Sequence, residues 1–463
     1  MKSYAGILLS LGCLAAAAPA PQVTETPQSA PDSPQRSSQV TGATMHGPYS
    51  GPAPTVTGAL SAPAAALSAA PGGLPPVTYI NNNGLLQAGY QPVPYQPAGG
   101  AGTNGTIPYY HPLSDFDYES LTLALYQEWI ELDLFHNGLA RFSAAEFEAA
   151  GLNAEDRFMI EFMADQETGH ATLLSNILGP AAPPQCTYNY PFTNVREFID
   201  FNQKLTRFGE SGVYGFLGHL DSRESATLLL ESISTEARQQ LIFRQMNGLF
   251  PMPLWFIPGI PQSWAWTLLA PYISSCPANT TRLAWQNFPS LTIINQPNPA
   301  KVNPNIGPID NTTGSDPLNT TGIQASNLCA TGKSAANDCG PAISQNKSIP
   351  LSYPGRPIML QWGSVNQTVG PNNSYVTSRS SLADAPRYAL FVSQLNATYV
   401  PLMNISGNMG TVVQPNGTVF THDPAINGTS FIAITSQNPY VTPFNLSLVN
   451  PYVYAGPALY QSG

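Results

Sequence analysis

NAEDRFMIEFMADQETGHATLLSNIL, residues Asn153 to Leu178, decides how this chain is read. Asn153 suits a helix N-cap, and Glu155 and Asp156 suit the positive end of the helix dipole. The stretch therefore predicts a helix, closed by Gly179 and Pro180. On it Glu167 and His170 lie three residues apart, about 60° around the axis, so both project from one face. Such a Glu-x-x-His element brings an oxygen and a nitrogen ligand to a metal inside a helical bundle. A solvated i,i+3 contact is its ordinary meaning, and only matching acids on three further helices change that.

Three such helices are predicted. The first runs from near Ser120 to Arg141, with Leu121, Leu125, Glu128, Leu132 and Phe135 on one face at 3- and 4-residue spacing. Glu131 lies about 60° from Glu128, so one of the two is expected inside and the other at the edge or in solvent. A connection from Ser143 to Gly151 leads into the Asn153 helix, whose apolar bulk is Phe158, Ile160, Phe162, Met163, Leu173, Leu174 and Ile177. After a crossover carrying Cys186, the third helix spans Asn194 to Leu220. It carries Glu210 and Tyr214 among Gly209, Ser211, Gly212 and Gly215, small residues that let a neighbouring helix approach closely. The fourth spans Ser222 to Asn247, closed by Gly248 and Pro251, with Glu236 and Gln239 at the Glu167–His170 spacing and Glu231 on another face.

The inventory is Glu128 (or Glu131), then Glu167 with His170, then Glu210, then Glu236 with Gln239. A di-iron or di-manganese bundle has one Glu on each of two helices and Glu-x-x-His on each of the other two, so all but one position match. Four carboxylates cannot share a low-dielectric core as bare anions. Two divalent cations would neutralise them; without metal they must be protonated, paired with Arg207 or Arg238, or exposed.

Composition sets the surroundings. Of 463 residues 43% are apolar, enough for sizeable cores, and only 10% are charged. The net charge of −10 and the lack of a Lys/Arg run exclude nucleic acid and anionic membrane surfaces as partners. No glutamate follows Glu236, which marks a domain boundary. Residues 1–20 read as a secretory signal, too short and Ala-rich for a membrane span. Its removal takes Cys13 and leaves Cys186, Cys276, Cys329 and Cys339, with Cys186–Cys276 and Cys329–Cys339 the favoured pairing of three. Asn-x-Ser/Thr sequons occur at Asn104 and from Asn279 to Asn445, with none inside 108–278. The gap outlines a compact helical domain and the cluster a surface-rich, glycosylated tail. Residues 21–107, poor in charge and rich in Pro, Ala and Ser, read as a disordered linker.

Leu249 to Ser275 is uncharged and rich in Trp, but its prolines break any continuous helix, so it reads as an apolar wrap over the bundle. Residues 279–463 carry strand-like runs at 358–362, 387–392, 399–403, 429–435 and 444–449 and predict a β-sandwich-like accessory region. His136 and His219 read as caps or solvated residues, and His46, His111 and His422 as isolated in loops. No G-x-S-x-G or H-E-x-x-H element is present.

Leu125 to Glu131 (Leu-x-x-Glu-Trp-x-Glu), Asp165-Gln166-Glu167-x-x-His170, Gly209-Glu210-x-x-Val213-Tyr214-Gly215 and Thr235-Glu236-Ala237-Arg238 together resemble secreted ferritin-like proteins of fungi, of the stress-response and sexual-development type. More distantly they are similar to plant desiccation-related proteins. Trp264-x-Trp266-Thr267-x-Leu269, Cys276-Pro277 and Trp285-x-Asn287-Phe288-Pro289 belong to the same resemblance, which covers 108–291 well, the tail loosely and the linker not at all. It implies a mainly α, ferritin-like four-helix bundle. Gln239 departs from the wider metal-binding pattern, since di-metal members carry His there, and an amide oxygen is a weaker ligand.

Two readings follow. In one, the protein is extracellular and binds iron or manganese through Glu128, Glu167, His170, Glu210 and Glu236, with Glu131 and Gln239 as further candidates, and acts as an oxidase, ferroxidase or peroxide scavenger. In the other, it is a non-catalytic extracellular or cell-wall glycoprotein with a degenerate metal site, meeting partners through its C-terminal region.

Overall fold

A computed structural model of the chain describes residues 46–51, 111–278, 280–297, 348, 350–424 and 427–463, with the backbone alone of short strand fragments at 58–59, 78–80, 86–88 and 97–98. The expected signal, nearly all of the expected linker, Cys329, Cys339 and the sequons at Asn104, Asn279, Asn311, Asn319 and Asn346 lie outside the described residues.

The helices are α1 (Asp115–Arg141), the short α2 (Ala144–Ala149), α3 (Ala154–Leu178), α4 (Val195–Leu217), α5 (Arg223–Met246) and α6 (Gln262–Leu269). The four long ones form the bundle, α1 lying along α3 and α4 along α5, with α1 also against α4 and α3 against α5. Each opens on a polar cap whose side chain accepts a first-turn N–H: Ser114 from Asp117, Asn153 from Asp156, Asn194 from Glu197 and Ser222 from Ser225. Helix α1 thus begins ahead of the expected Ser120. The reason is Asp117, fully buried, which accepts the N–H groups of Leu113, Asp221 and Ser222 and ties the α4–α5 turn to the start of α1. Helix α2 was not expected; a reciprocal capping box between Ser143 and Glu146 starts it.

Phe158 and Phe162 do not pack inside, being 64% and 50% exposed. Five residues separate Phe162 from Glu167, about 140° around the helix, so turning Glu167 inward turns Phe162 outward. The glycines of α4 do admit close neighbours. A Cβ on Gly209 would meet the Gln127 side chain of α1 at 2.5 Å, and one on Gly215 would lie 1.8 Å from the Ile260 carbonyl oxygen. The second of these neighbours is the 249–275 wrap and not a bundle helix.

That wrap contains α6 and ends in β2 (Ile273–Ser275), which pairs antiparallel with β1 (Thr187–Tyr188). The Cys186–Cys276 disulfide closes the same corner. Among the described residues no helix is long and apolar enough to cross a membrane.

The β-rich part adds β3 (Leu291–Ile293), β4 (Pro357–Trp362), β5 (Thr368–Val369), β6 (Tyr375–Val376), β7 (Tyr388–Ser393), β8 (Asn396–Pro401), β9 (Met403–Ser406), β10 (Met409–Val413), β11 (Thr429–Thr435) and β12 (Val453–Gln461). Two antiparallel four-stranded sheets form, ordered β8-β7-β11-β12 and β9-β10-β4-β3. Alternation assigns the faces of the first sheet. Leu390, Val392, Phe431 and Ala433 join the helical core, while Ala389, Phe391, Ile432 and Ile434 face the second sheet and its Ile358, Leu360 and Val412. The layers therefore run helices, sheet, sheet, and β11 is buried at every position. Residues 444–449, expected as a strand, fall largely in a 3-10 turn over Leu446–Tyr452.

Candidate metal centre

All five bundle acids point inward. Glu128 and Glu131 of α1, Glu167 of α3, Glu210 of α4 and Glu236 of α5 are each at most 1% exposed. The expectation that only one of Glu128 and Glu131 is inside is corrected: Gln127, one turn before Glu131, donates its Nε2–H to Glu131 Oε1 at 2.8 Å and makes the second acid tolerable there. Glu231 is exposed, as its angle from Glu236 requires.

Four of these side chains converge. Ligand atoms of Glu128, Glu167, His170 and Glu236 lie within 4.8 Å of one another. His170 Nδ1 is 3.1 Å from Glu167 Oε2, 3.3 Å from Glu128 Oε2 and 3.8 Å from Glu236 Oε1. On the other side of the ring, Nε2 lies 2.9 Å from Thr235 Oγ1. The Thr235 hydroxyl donates to the Ser232 carbonyl at 2.7 Å, which leaves its oxygen to accept an N–H from His170 Nε2. Nδ1 is thereby aimed at the acids. Thr235 is a residue that sequence reading passed over, because its partner lies on another helix.

The electrostatics follow from crowding acids in a dry core. Burial pushes the Glu128 carboxyl up to about 8 even though the His170 charge pulls the other way. Glu236 is held well above the usual range by burial and then by the charges of Glu128, Glu131, Glu167 and Glu210. Glu131 is raised for the same reasons, burial first and then Glu167 and Glu128. Burial also works against an ionised Glu167, but the His170 charge and hydrogen bonds outweigh it and lower its pKa. Burial disfavours the His170 imidazolium, yet Glu167 and Glu128 together hold it well above its ordinary value. Protons thus occupy the place where the donor set suits a cation. A cation fits: the donors are three carboxylates and an imidazole, and the buried Glu236 Oε2 has no hydrogen-bond partner among the described residues.

The remaining candidates lie outside this group. Glu210 Oε2 accepts from Arg207 Nη1 at 2.7 Å, and Arg207 Nη2 donates to Gln240 Oε1 at 2.8 Å. Burial raises the Glu210 pKa and Arg207 pulls it back. Gln239 donates its Nε2–H to Glu167 Oε1 and, at 3.2 Å, to Gln166 Oε1. Arg207 is therefore the buried partner that the sequence left open between Arg207 and Arg238; Arg238 is exposed and bonds the Ser234 carbonyl.

The other histidines are not ligands of this group. His136, expected at a cap or in solvent, is 3% exposed, and burial lowers its pKa to about 4. His46 is not isolated: its ring stacks on Phe116 at 3.9 Å and bonds Asp221 at 3.0 Å.

Residues 116–249, the stretch that holds Glu128, Glu131, Glu167, His170, Glu210, Glu236 and Gln239, match a family described as "Ferritin-like domain". Over 382 residues the chain is 48% identical to Protein rds1 of Schizosaccharomyces pombe, covering 82% of this chain and 89% of that one.

Proposed function

For a chain that belongs to the family of the Schizosaccharomyces pombe Protein rds1, with a ferritin-like bundle at its centre, we propose an extracellular metal-binding protein that holds iron or manganese in the bundle core. The observation that carries this reading is the meeting of Glu128, Glu167, His170 and Glu236, four metal-type donors from three helices, in one buried place. Isolated surface acids never cost the fold what these do. Bound there, iron or manganese would supply redox chemistry toward dioxygen or peroxide, the basis of an oxidase, ferroxidase or peroxide-scavenging role in stress or development.

The chain's own residues prepare that site. Glu128, Glu167 and Glu236 would give oxygen ligands, and His170 would give Nδ1. Thr235 fixes the tautomer that leaves Nδ1 free to ligate, as outer-shell partners of metal-bound imidazoles do. The surrounding apolar stripe, Leu125, Leu132 and Ile233 among it, keeps bulk water out.

Secretion is supported by the apolar N-terminal run, by the Cys186–Cys276 disulfide and by exposed sequon asparagines at Asn366, Asn372, Asn404 and Asn416. The second reading, an extracellular glycoprotein without catalysis, draws its support from Gln239 and from Arg207, which occupy Glu167 and Glu210 without metal.

Elemental analysis of protein from its secreting host, beside a Glu167→Ala/His170→Ala variant, tests the proposal. Stoichiometric iron or manganese that disappears in the variant supports it. Absence of metal from both, after exposure to excess Fe(II) and Mn(II), overturns it in favour of the second reading.

A further inference from the structure

Resting on the metal reading above, we infer that this centre takes one ion and not two, and that the Arg207 guanidinium is the built-in positive charge on the side where a second ion would sit. A two-ion bundle needs a second Glu-x-x-His and a free Glu on the helix opposite. Here Gln239 stands in place of the imidazole and donates to Glu167 Oε1, and Glu210 Oε2 is held by Arg207, while Glu236 Oε2, Glu210 Oε1 and Gln239 Oε1 have no hydrogen-bond partner among the described residues.

Gln239 stands where the second imidazole belongs. Its amide nitrogen, not its oxygen, faces Glu167 Oε1 and Gln166 Oε1. Turning the amide over would set its oxygen against the Glu167 carboxylate, two acceptors in contact, so the nitrogen is fixed inward. An amide N–H cannot ligate, and it occupies the Glu167 oxygen that a second ion would share with the first.

Glu210, the free acid that pattern requires, is paired at 2.7 Å with Arg207, and the second arm of the same guanidinium is held by Gln240 at 2.8 Å. Arg207 is 4% exposed and Glu210 1%, so water does not screen the pair. A guanidinium is a planar, delocalised cation that holds a carboxylate through fixed N–H donors. A dication bound to Glu210 would therefore face a fixed cation across one carboxylate. Glu131 accepts from Gln127 through Oε1, and its Oε2 is buried with no hydrogen-bond partner among the described residues. Among the described residues, no Arg or Lys is ion-paired to the Glu128, Glu167, His170 and Glu236 group, whose hydrogen bonds and ion pairs run between its own members and to Gln239 and Thr235.

The test is a count. Full-length protein stripped of metal is titrated anaerobically with Mn(II), bound ions are measured by equilibrium dialysis with elemental analysis, and the electron paramagnetic resonance spectrum is recorded at one and three equivalents. One ion per chain, an uncoupled six-line spectrum and any further ion bound at least 100-fold more weakly are expected. Two ions of affinities within tenfold, or an exchange-coupled spectrum, overturn the inference while leaving the metal reading intact. No bound ion at all overturns the metal reading, and this inference with it. In an Arg207→Met/Gln239→His variant the count is expected to rise to two. A folded variant still holding one ion refutes the roles given to Arg207 and Gln239, and if the variant does not fold, the wild-type count decides alone.

Discussion

Replacing Arg207 with Met keeps most of the stem and removes the charge, leaving Glu210 and Gln240 without the donors they hold at 2.7 and 2.8 Å. Both acceptors are 1% exposed. Unit charges about 2.7 Å apart at a dielectric of about 20 attract by about 6 kcal/mol, which bounds the loss from above. Glu210 has a cheaper escape, which is to take a proton. An ordinary Glu ionises near about 4.3, so holding it protonated at pH 7 costs about 3.7 kcal/mol. The smaller figure decides. With about 1 kcal/mol for the unpaired Gln240 oxygen, the expected loss at pH 7 is at most roughly 4–5 kcal/mol, since burial already raises the Glu210 pKa in the wild type. The sign with pH is fixed as well. Burial raises the Glu210 pKa and Arg207 opposes it, so in the variant the folded pKa rises further above the unfolded one. Stability that depends on a protonated Glu210 is complete below the unfolded pKa and is lost as pH rises, so the gap to wild type narrows to about 2 kcal/mol near pH 5. Urea unfolding followed by circular dichroism at pH 5 and pH 7 measures both, and an Arg207→Met/Glu210→Gln variant is expected to recover most of the loss. A cost below about 1 kcal/mol at pH 7, or one equal at the two pH values, would refute the picture of a dry, ionised pair.

Thr235→Val removes the acceptor for His170 Nε2–H at nearly constant volume, and Mn(II) affinity is expected to fall about 10–100-fold with the stoichiometry unchanged; titration calorimetry that finds equal affinity rejects the orienting role. His136, whose pKa burial lowers to about 4, binds its proton more weakly folded than unfolded. Its contribution is complete above about pH 6.5 and is lost as pH falls toward 4, by about 3.4 kcal/mol in all, so a His136→Gln variant should show a flatter stability profile over that window. The Cys186–Cys276 bridge joins residues 90 apart. Chain entropy sets its value near about 4.6 kcal/mol, and Cys186→Ser/Cys276→Ser is expected to lose about 2–5 kcal/mol in denaturant, matched by reduction of the wild type.

The parts of this centre legible in the sequence are those that a helix period alone places. Asn153, Asn194 and Ser222 announce their helices because capping is local, and Glu167 with His170, Glu128 and Glu236 follow from the face each must share with apolar neighbours. What stayed hidden depends on cross-helix partners. Glu131 is buried, sheltered by Gln127, and no angular argument distinguished it from an edge residue. Arg207 and Arg238 looked equivalent until α4 and α5 were packed and only Arg207 turned to the core. The run at 444–449 alternates like a strand, but its neighbours supply no ladder and it closes into a 3-10 turn. Strand β12 is not among the predicted runs; its Gly456 and Pro457 lie where its register against β11 shifts.

The central sheet has no wet face, and this sets an order of events during synthesis. Trp264 and Trp266 of α6 belong to a core completed by Tyr375, Leu390, Phe431 and Val453, all of which leave the ribosome later. The ring of Trp266 meets that of Tyr375 at 5.1 Å. Until those strands emerge, the newborn helical half carries a bare aromatic flank, the kind of surface on which nascent chains stick to one another. Its maturation therefore waits on strands translated after α6, and a ribosome stalled there would release a product prone to clump, however well its four long helices had formed.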